Sequence, residues 1–132
     1  MLKAIFFDMD GTITRPHIDW PSLRQRVGVP PGIPIMAHIE SLAGPERKKA
    51  EAIVEEVEFE AAEQAALNPG AAELIRALRP HPLQLVLITN NHRRAMCHVV
   101  DKFGLEFDLL LSRENAPLKP APDLLLLALK KF

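Results

Sequence analysis

Hydrophobic residues follow two patterns along the chain, one typical of buried strands and one typical of helices. Three short runs are largely apolar, at residues 5–7, 83–91 and 107–111, and the second ends in polar residues. Such runs favour parallel strands that are buried on both faces of a sheet. Helical patterns separate them, and strands that alternate with helices predict a parallel sheet with right-handed crossovers. The pattern therefore predicts an α/β fold.

The segment between the first two strands, residues 15–68, has no strand pattern and is predicted to be entirely helical. Three helices are expected in it: 22–27, 35–42 and 45–67. The longest is apolar on one face, and we interpret its other face as a solvated surface with six glutamates: Glu51, Glu55, Glu56, Glu58, Glu60 and Glu63. Helices in the rest of the chain are expected at 71–78, 91–103 and 124–131. The chain thus divides into a core of residues 1–14 and 69–132 and a helical insert of residues 15–68.

The composition narrows the class of protein. The 132 residues suffice for one domain with a small insert, and the net charge of -1 gives no basic footprint for nucleic acid or a membrane surface. Cys97 is the only cysteine, which excludes an internal disulfide and favours a reducing compartment. No signal peptide or membrane-spanning stretch is visible. These features predict a cytoplasmic protein with no nucleic-acid or membrane partner, and they leave the oligomeric state open.

Two carboxylates follow the first strand, where Asp8 and Asp10 are separated by Met9. Because side chains alternate along an extended chain, both acids can lean toward the same side. A plain turn at Asp10-Gly11 and a helix cap at Asp8 are the alternative interpretation. That alternative leaves the second acid at the end of a buried strand unexplained. Ligands of open α/β sheets bind beyond the carboxyl ends of the strands, so these acids are candidate site residues.

Complementary polar groups follow the other two strands. Thr89 and Asn90 end the second strand, and Lys119 lies in a stiff loop after the third. A nucleophilic carboxylate, a second acid, a hydroxyl with backbone N–H groups and a cation together suit phosphoryl transfer. Two carboxylates facing a phosphate need a cation, and Mg²⁺ prefers such oxygen ligands.

Three segments carry a resemblance to a known family: Asp8-Met9-Asp10-Gly11-Thr12, Ile88-Thr89-Asn90-Asn91 and Lys119-Pro120-Ala121-Pro122-Asp123. In this order they resemble the first three motifs of the haloacid dehalogenase-like superfamily. The resemblance implies a Rossmann-like core with an inserted helical cap. The insert is similar to the small type 1 cap of phosphoglycolate-phosphatase-like members.

The resemblance also implies roles for the two acids. Asp8 would be the nucleophile that forms an aspartyl-phosphate, and it would be a ligand of Mg²⁺. Asp10 would be the general acid and base, with its backbone carbonyl as a second metal ligand. An acid at position 10 implies a phosphatase or a phosphomutase, since dehalogenase and phosphonatase members lack one.

The remaining motif residues would hold the phosphate of a small phosphorylated metabolite. Thr89 and the amide of Asn90, with Gly11 and Thr12 of the first motif, form the implied phosphate-binding set. Lys119 would steady both the phosphate and the nucleophile. The implied function is Mg²⁺-dependent hydrolysis of a small phosphomonoester. A phosphomutase and an inactive chain that only binds phosphate or a partner are the alternatives.

The family's fourth motif, an acidic pair on a further strand, has no counterpart before Phe132. That strand would also cover the outer side of the first strand, so residues 3–7 are expected to form an exposed edge. The last helix reaches the end of the chain without a stop signal. We therefore expect a fragment that lacks the C-terminal strand with the fourth motif and binds Mg²⁺ poorly.

The sequence gives weaker evidence for a role in the site for residues that flank the motifs. His17 and Trp20 stand where the insert leaves the core, and we interpret Trp20 as a packing residue. Arg93 and Arg94 begin a helix beside the second motif, where contact with solvent and contact with an anionic substrate are equally supported.

Four other polar or reactive residues are given structural interpretations. His92 is expected to cap a helix or to lie on the surface. Cys97 is expected to be a buried, inert thiol within a helix. Glu114 and Asn115 precede the third motif and have only a weak claim to the site.

Overall fold

The computed structural model describes residues 1–15, 18–117 and 119–132, in which strands and helices alternate. In chain order the elements are β1 (Ala4–Phe7), α1 (Trp20–Val27), α2 (Ile35–Ser41), α3 (Gly44–Glu63), α4 (Ala71–Leu78), β2 (Gln84–Ile88), α5 (Arg93–Phe103), β3 (Leu109–Leu111) and α6 (Asp123–Leu129). His17, a candidate from the sequence, lies outside the described residues. The predicted order of elements is confirmed.

The three strands form one parallel sheet in the order β1-β2-β3. Phe6 pairs with Val86, and Val86 pairs with Leu109, so β2 is the central strand. The predicted α/β class is confirmed, and within the described residues β1 lies at one edge of the sheet. The expectation that β1 is buried on both faces is wrong. Its four residues are half-buried because, within the described chain, β1 has a neighbouring strand on one side only.

Side chains of β2 alternate between two apolar layers, as a pleated strand requires. Leu85 and Leu87 pack with helices α4 and α5 on one face of the sheet. Val86 and Ile88 pack with α6 on the other face. All four side chains are buried, so β2 fixes the sheet between two layers of helices.

The insert has a small apolar cluster of its own, formed by Leu23, Ile39, Ala50 and Val54. These residues come from α1, α2 and the first half of α3. The second half of α3 contributes Ala62 to the main core, where it packs with residues of α5. Helix α3 therefore belongs to both apolar clusters and connects the insert to the sheet. From here on, the cap denotes α1, α2 and α3.

The two connections between cap and core run side by side. Thr14 forms an antiparallel bridge with Leu67, and the Arg15 N–H donates to the Ala66 carbonyl at 2.9 Å. The prediction of a helix as far as residue 67 is wrong, because α3 ends at Glu63 and the chain is then extended to make this pairing.

Strands β2 and β3 are shorter than predicted. Strand β2 ends at Ile88, so the polar residues 89–91 form a loop at its carboxyl end. Strand β3 has only three residues. Among the described helices, none has the length and apolar character that a membrane crossing requires.

Candidate active site

A tight turn after β1 sets the geometry of the two predicted acids. Met9 is buried, and its carbonyl accepts hydrogen bonds from the N–H groups of Thr12, Ile13 and Thr14 at 3.1, 2.9 and 3.1 Å. Gly11 supplies the positive φ of 82° that this turn needs and that a side chain would strain. The turn leaves Asp8 and Asp10 at the carboxyl end of the sheet.

Asn68, in the segment that leads from the cap back to the core, holds this turn in place. Its Nδ2 lies 3.2 Å from the Gly11 carbonyl, 2.9 Å from the Thr12 carbonyl and 3.2 Å from the Thr14 carbonyl. One amide group, with two N–H bonds, thus lies within hydrogen-bond distance of three turn carbonyls. No local sequence pattern links Asn68 to Asp8 and Asp10, from which it is separated by more than 50 residues.

The predicted nucleophile and the predicted cation are in contact. The Lys119 ammonium lies 2.8 Å from Oδ1 of Asp8 and also donates to the Ile88 carbonyl at 3.1 Å. The Met9 N–H donates to the same Asp8 oxygen at 2.9 Å. Asp8 and Lys119 are partly exposed, so the pair is open to a ligand.

Asn90 holds the loop that carries Lys119. Its side-chain amide donates to the Lys119 carbonyl at 2.9 Å, and the Lys119 N–H donates back to Oδ1 of Asn90 at 2.8 Å. These two hydrogen bonds join the loop after β2 to the loop after β3. The Asn90 side chain therefore fixes the backbone of Lys119, the residue that carries the ammonium group.

Asp10 is held by the loop after β2. Its Oδ2 accepts hydrogen bonds from the Thr89 hydroxyl at 3.4 Å and from the Asn91 amide at 3.3 Å. Asp10 is exposed as a whole residue, but its carboxylate is turned inward onto these groups. The pKa of Asp10 is raised above its ordinary value, mainly because the carboxyl group is buried. The hydrogen bond from Asn91 lowers this pKa, and the negative charges of Glu58 and Asp8 raise it further. The hydrogen bond from Thr89 has the smallest effect and lowers it.

The four predicted phosphate-binding residues lie in the two loops around these acids. Gly11 and Thr12 are exposed on the turn after β1. Thr89 is fully buried, and its hydroxyl also accepts from the Asn91 N–H at 3.0 Å. The structure thus brings together Asp8, Asp10, Thr89, Asn90 and Lys119, and Gly11 and Thr12 lie on the adjoining turn.

A cleft of about 980 Å³ lies between the cap and this end of the sheet. Core side chains on its lining include Asp8, Asp10 and Lys119, and cap side chains include Trp20 and Met36. The interpretation of Trp20 as a packing residue is wrong. Its side chain is 51% exposed, because the start of α1 faces the cleft and not the apolar cluster of the cap.

The predicted solvated face of the long helix contains a buried carboxylate. Glu58 is 4% exposed, and its Oε2 accepts from Nη1 of Arg113 at 3.0 Å while Nη2 of Arg113 lies 2.9 Å from its Oε1. Nδ1 of His92 lies 3.2 Å from the same Oε1. The solvated interpretation of Glu58 is therefore wrong, because α3 turns this residue onto the core loops.

His92 shares this burial. It stands at the N-cap position of α5, but its side chain makes no capping hydrogen bond to that helix. The surface interpretation is wrong because His92 is buried against Glu58.

Three other residues of α5 lie away from the cleft. Arg94 is exposed, and its guanidinium stacks 3.9 Å from the centre of the Phe59 ring. Arg93 is exposed, and its N–H is capped by both carboxylate oxygens of Glu114 at 3.1 Å. Cys97 is half-buried against the main core, not fully buried as expected.

Comparison with known proteins identifies the family. The haloacid dehalogenase-like hydrolase family matches residues 34–132, which is most of the chain. The chain belongs to the haloacid dehalogenase-like hydrolase family.

Its relatives agree with this assignment. A haloacid dehalogenase-like hydrolase domain-containing protein of Arabidopsis thaliana is 35% identical over 95% of this chain and 56% of the relative. An uncharacterized hydrolase of Saccharomyces cerevisiae is 32% identical over 95% of this chain and 61% of the relative. The chain thus spans less than two thirds of the length of these relatives.

A solved structure has the same fold. It is a candidate phosphoglycolate phosphatase of Lactobacillus plantarum, with a TM-score of 0.73 and 27% identity, and the match covers 99% of this chain and 72% of that chain. The TM-score confirms that the cap and the three-stranded core follow the fold of haloacid dehalogenase-like hydrolases.

The acids of this haloacid dehalogenase-like hydrolase can contribute to a Mg²⁺ site. Among the described residues, no group of three or more His, Cys, Asp or Glu side chains forms a metal cluster. Mg²⁺ keeps several waters and is commonly bound by one or two carboxylates together with substrate phosphate. Described groups engage Oδ1 of Asp8 and Oδ2 of Asp10, and each carboxylate has a second oxygen to offer. The donor set is small but fits a hard cation.

Sequence reasoning missed Arg113 and Asn91 as site residues. Both follow a strand at its carboxyl end, which is the signal that identifies Lys119 and Thr89. Arg113 was overlooked because its role depends on a glutamate of the cap, and Asn91 because it reads as the start of a helix.

Proposed function

We propose that this haloacid dehalogenase-like hydrolase is a Mg²⁺-dependent phosphatase that hydrolyses a small phosphomonoester through an aspartyl-phosphate on Asp8. The observation that carries the proposal is the 2.8 Å contact between the Lys119 ammonium and Asp8, with the Asp10 carboxyl held on the same loops. A carboxylate beside a cation and a second acid is the arrangement that phosphoryl transfer by an aspartate nucleophile needs.

In the first step, a carboxylate oxygen of Asp8 attacks the phosphorus atom. The new P–O bond to Asp8 forms as the P–O bond to the substrate alcohol breaks. The proton of the Asp10 carboxyl group passes to the leaving oxygen, so the alcohol departs neutral. Asp8 then carries the phosphoryl group and Asp10 is a carboxylate.

In the second step, water attacks the phosphorus of the aspartyl-phosphate. Asp10 accepts a proton from this water, and the P–O bond to Asp8 breaks. Inorganic phosphate leaves, and both acids return to their starting states. One residue thus serves as acid and then as base, which explains why its position must be fixed by Thr89 and Asn91.

Charge on the phosphoryl oxygens requires positive groups. Lys119 supplies one, and we assign Gly11, Thr12, Thr89 and Asn90 as the hydrogen-bonding groups of the phosphate site. When bound, Mg²⁺ would be held by Asp8 and Asp10 and would neutralise the negative charge that substrate and carboxylates share.

The cap determines which alcohol fits. The cleft wall on the cap side is mostly apolar, and it includes Ile18 before α1, Trp20 of α1, and Ile35 and Met36 of α2. An apolar wall excludes water from the reacting phosphate and limits the size of the substrate. The similarity to a candidate phosphoglycolate phosphatase supports a small phosphorylated metabolite as substrate.

The test is hydrolysis of p-nitrophenyl phosphate with and without Mg²⁺. We expect Mg²⁺-dependent turnover by the unmodified chain and a loss of about a thousandfold or more in Asp8→Asn, because the amide is not a nucleophile. Asp101→Asn, a matched change at an exposed position of α5, should retain activity. After acid quenching, one phosphate should be found on Asp8 in the unmodified protein and in Asp101→Asn, and none in Asp8→Asn.

Other results would contradict the proposal. Activity that survives Asp8→Asn would exclude this nucleophile. Interconversion of glucose phosphates without release of free phosphate would establish a mutase. Phosphate binding without turnover on any phosphomonoester would establish an inactive chain.

A further inference from the structure

Glu58 is a cap residue that reaches the catalytic loops of the core. It lies on α3 between Val54, which belongs to the apolar cluster of the cap, and Ala62, which belongs to the main core. The side chain of Glu58 is only 6% exposed, and it lines the cleft beside Asp10. A buried carboxylate at this boundary is the only charged residue among the buried residues of α3.

Burial of this charge is compensated by two core side chains. Arg113 and Glu58 make a two-point contact, with N–O distances of 3.0 and 2.9 Å. Nδ1 of His92 adds a third contact at 3.2 Å. The planar guanidinium suits such a forked contact, which fixes the orientation of both groups as well as their distance.

Arg113 also forms hydrogen bonds with the loop after β2. Its N–H donates to the Asn91 carbonyl at 3.0 Å, and its Nη1 donates to the Asn90 carbonyl at 3.4 Å. The Asn90 side chain holds the backbone of Lys119, and the Asn91 side chain holds the Asp10 carboxylate. A continuous series of contacts therefore leads from the cap to the general acid and to the cation.

We propose that Glu58 and Arg113 are positioning residues that couple the seating of the cap to the geometry of Asp10 and Lys119. When the cap is seated, Glu58 orients Arg113, and Arg113 fixes the loop of Asn90 and Asn91. When the cap moves away, this loop loses its clamp, so the acid and the cation are fully aligned only over a closed cleft. The kinetic part of this inference rests on the proposed phosphatase activity.

Attachment of the cap does not itself require this ion pair. Apolar contacts of Ala62 and Ala65 already join α3 and the segment after it to the main core. A buried ion pair is generally no more stabilising than apolar residues of the same volume. The charged pair instead fixes an orientation, because the Glu58 carboxylate holds the Arg113 guanidinium against the loop after β2.

Kinetics of paired variants test the coupling. We expect Glu58→Gln and Arg113→Gln each to lower kcat for p-nitrophenyl phosphate about 10- to 100-fold with KM changed less than about threefold, since misplaced catalytic groups slow the chemical step. The double variant should resemble the worse single variant, because residues that act through each other are not additive. The double variant also removes both charges of the pair, whereas each single variant leaves one of them buried without its partner. Glu55→Gln, one turn earlier and exposed, is the matched control and should retain full activity.

Hydrogen exchange tests the same coupling without turnover. In the double variant, the backbone amides of Asn91, Arg113 and Lys119 should lose about tenfold or more of their protection, because each donates within the clamped loops. Amides of α4 and β2 should change less than about twofold. This measurement decides the coupling even if the proposed hydrolysis fails.

Three results would overturn the inference. One is a kcat within about twofold of the unmodified chain in Glu58→Gln. Another is a double variant whose loss is the product of the two single losses. The third is an increase in exchange that is uniform across the chain, since it would show a purely structural role for the pair.

Discussion

At the scale of single residues, Lys119 connects the loop after β3 with the ends of the other two strands. Its ammonium contacts Asp8 after β1 and the Ile88 carbonyl at the end of β2. The carbonyl contact limits where the ammonium can lie, so the charge remains beside Asp8, the proposed nucleophile. Because Asp8 is partly exposed, this contact contributes little to stability and is placed to act on a ligand.

Replacing this cation should therefore affect turnover more than folding. We expect Lys119→Met to lower kcat/KM for p-nitrophenyl phosphate about 100- to 1000-fold, because a fixed positive charge is lost from the reacting phosphate. The thermal midpoint should change little. Lys130→Met, at the exposed end of α6, is the control and should leave kcat/KM unchanged. Equal activity of both variants would contradict the role of Lys119.

At the scale of elements, Asp108 connects β3 with β2 and with the end of α4. Its Oδ2 accepts from Nη2 of Arg79 at 2.7 Å and from the Leu85 N–H at 2.7 Å. Its own N–H donates to the Leu85 carbonyl at 2.8 Å. The Arg79 hydrogen bond, followed by the Leu85 hydrogen bond, outweighs a small cost of burial and lowers the pKa of Asp108 from its usual 3.8.

This lowered pKa predicts a pH dependence of folding stability. A carboxyl whose pKa is lower in the folded state stabilises the fold above its unfolded-state pKa, and the effect is lost as the pH falls through the folded value. Asp108→Asn should therefore lower the free energy of unfolding by about 1 kcal/mol at neutral pH. This cost should become smaller as the pH falls below the usual carboxyl value of 3.8.

Urea unfolding at several pH values measures this difference. Asp101→Asn on α5 is the control, and its free energy of unfolding should follow that of the unmodified chain at each pH. A cost of Asp108→Asn that stays constant down to the lowest pH would refute the assigned role of the carboxylate.

At the scale of the whole molecule, the interior of the cap and the main core on one face of the sheet share one helix, α3. Leu23 lies in the apolar cluster of the cap, and Leu87 lies in the main core. Both side chains are almost fully buried. Helix α3 contributes to both interiors, and among the described residues α3 and the paired connections at Thr14 and Leu67 join the cap to the core.

Two substitutions that each create a cavity, one in the cap and one in the main core, test whether the cap unfolds independently of the core. Leu23→Ala and Leu87→Ala each remove a buried side chain and should each cost about 2–5 kcal/mol locally. Hydrogen exchange should increase only in α1, α2 and the first half of α3 for Leu23→Ala, but throughout the sheet for Leu87→Ala. Identical exchange patterns would show that cap and core unfold as one unit and would contradict a division at residues 15–68.

Much of the fold and of the site followed from the sequence because the relevant signals are local. Apolar runs located the three strands, and the polar residues at their ends identified Asp8, Asp10, Thr89 and Lys119. Parallel strands bring their carboxyl ends to one edge of the sheet, so residues that are far apart in the chain could be assigned to one site without coordinates.

The tertiary structure alone decided the roles of residues whose partners are distant. Glu58 has the sequence spacing of a solvated glutamate, and it is buried because His92 and Arg113 lie 34 and 55 residues away in the chain and meet it in space. Asn68 fastens the Asp10 turn across 57 residues for the same reason. Periodicity reports only which face of an element is apolar, whereas the burial of a charge depends on what the fold places opposite it. The sequence by itself therefore determined the class of the fold and the groups for chemistry, and the tertiary structure determined how the cap is joined to them.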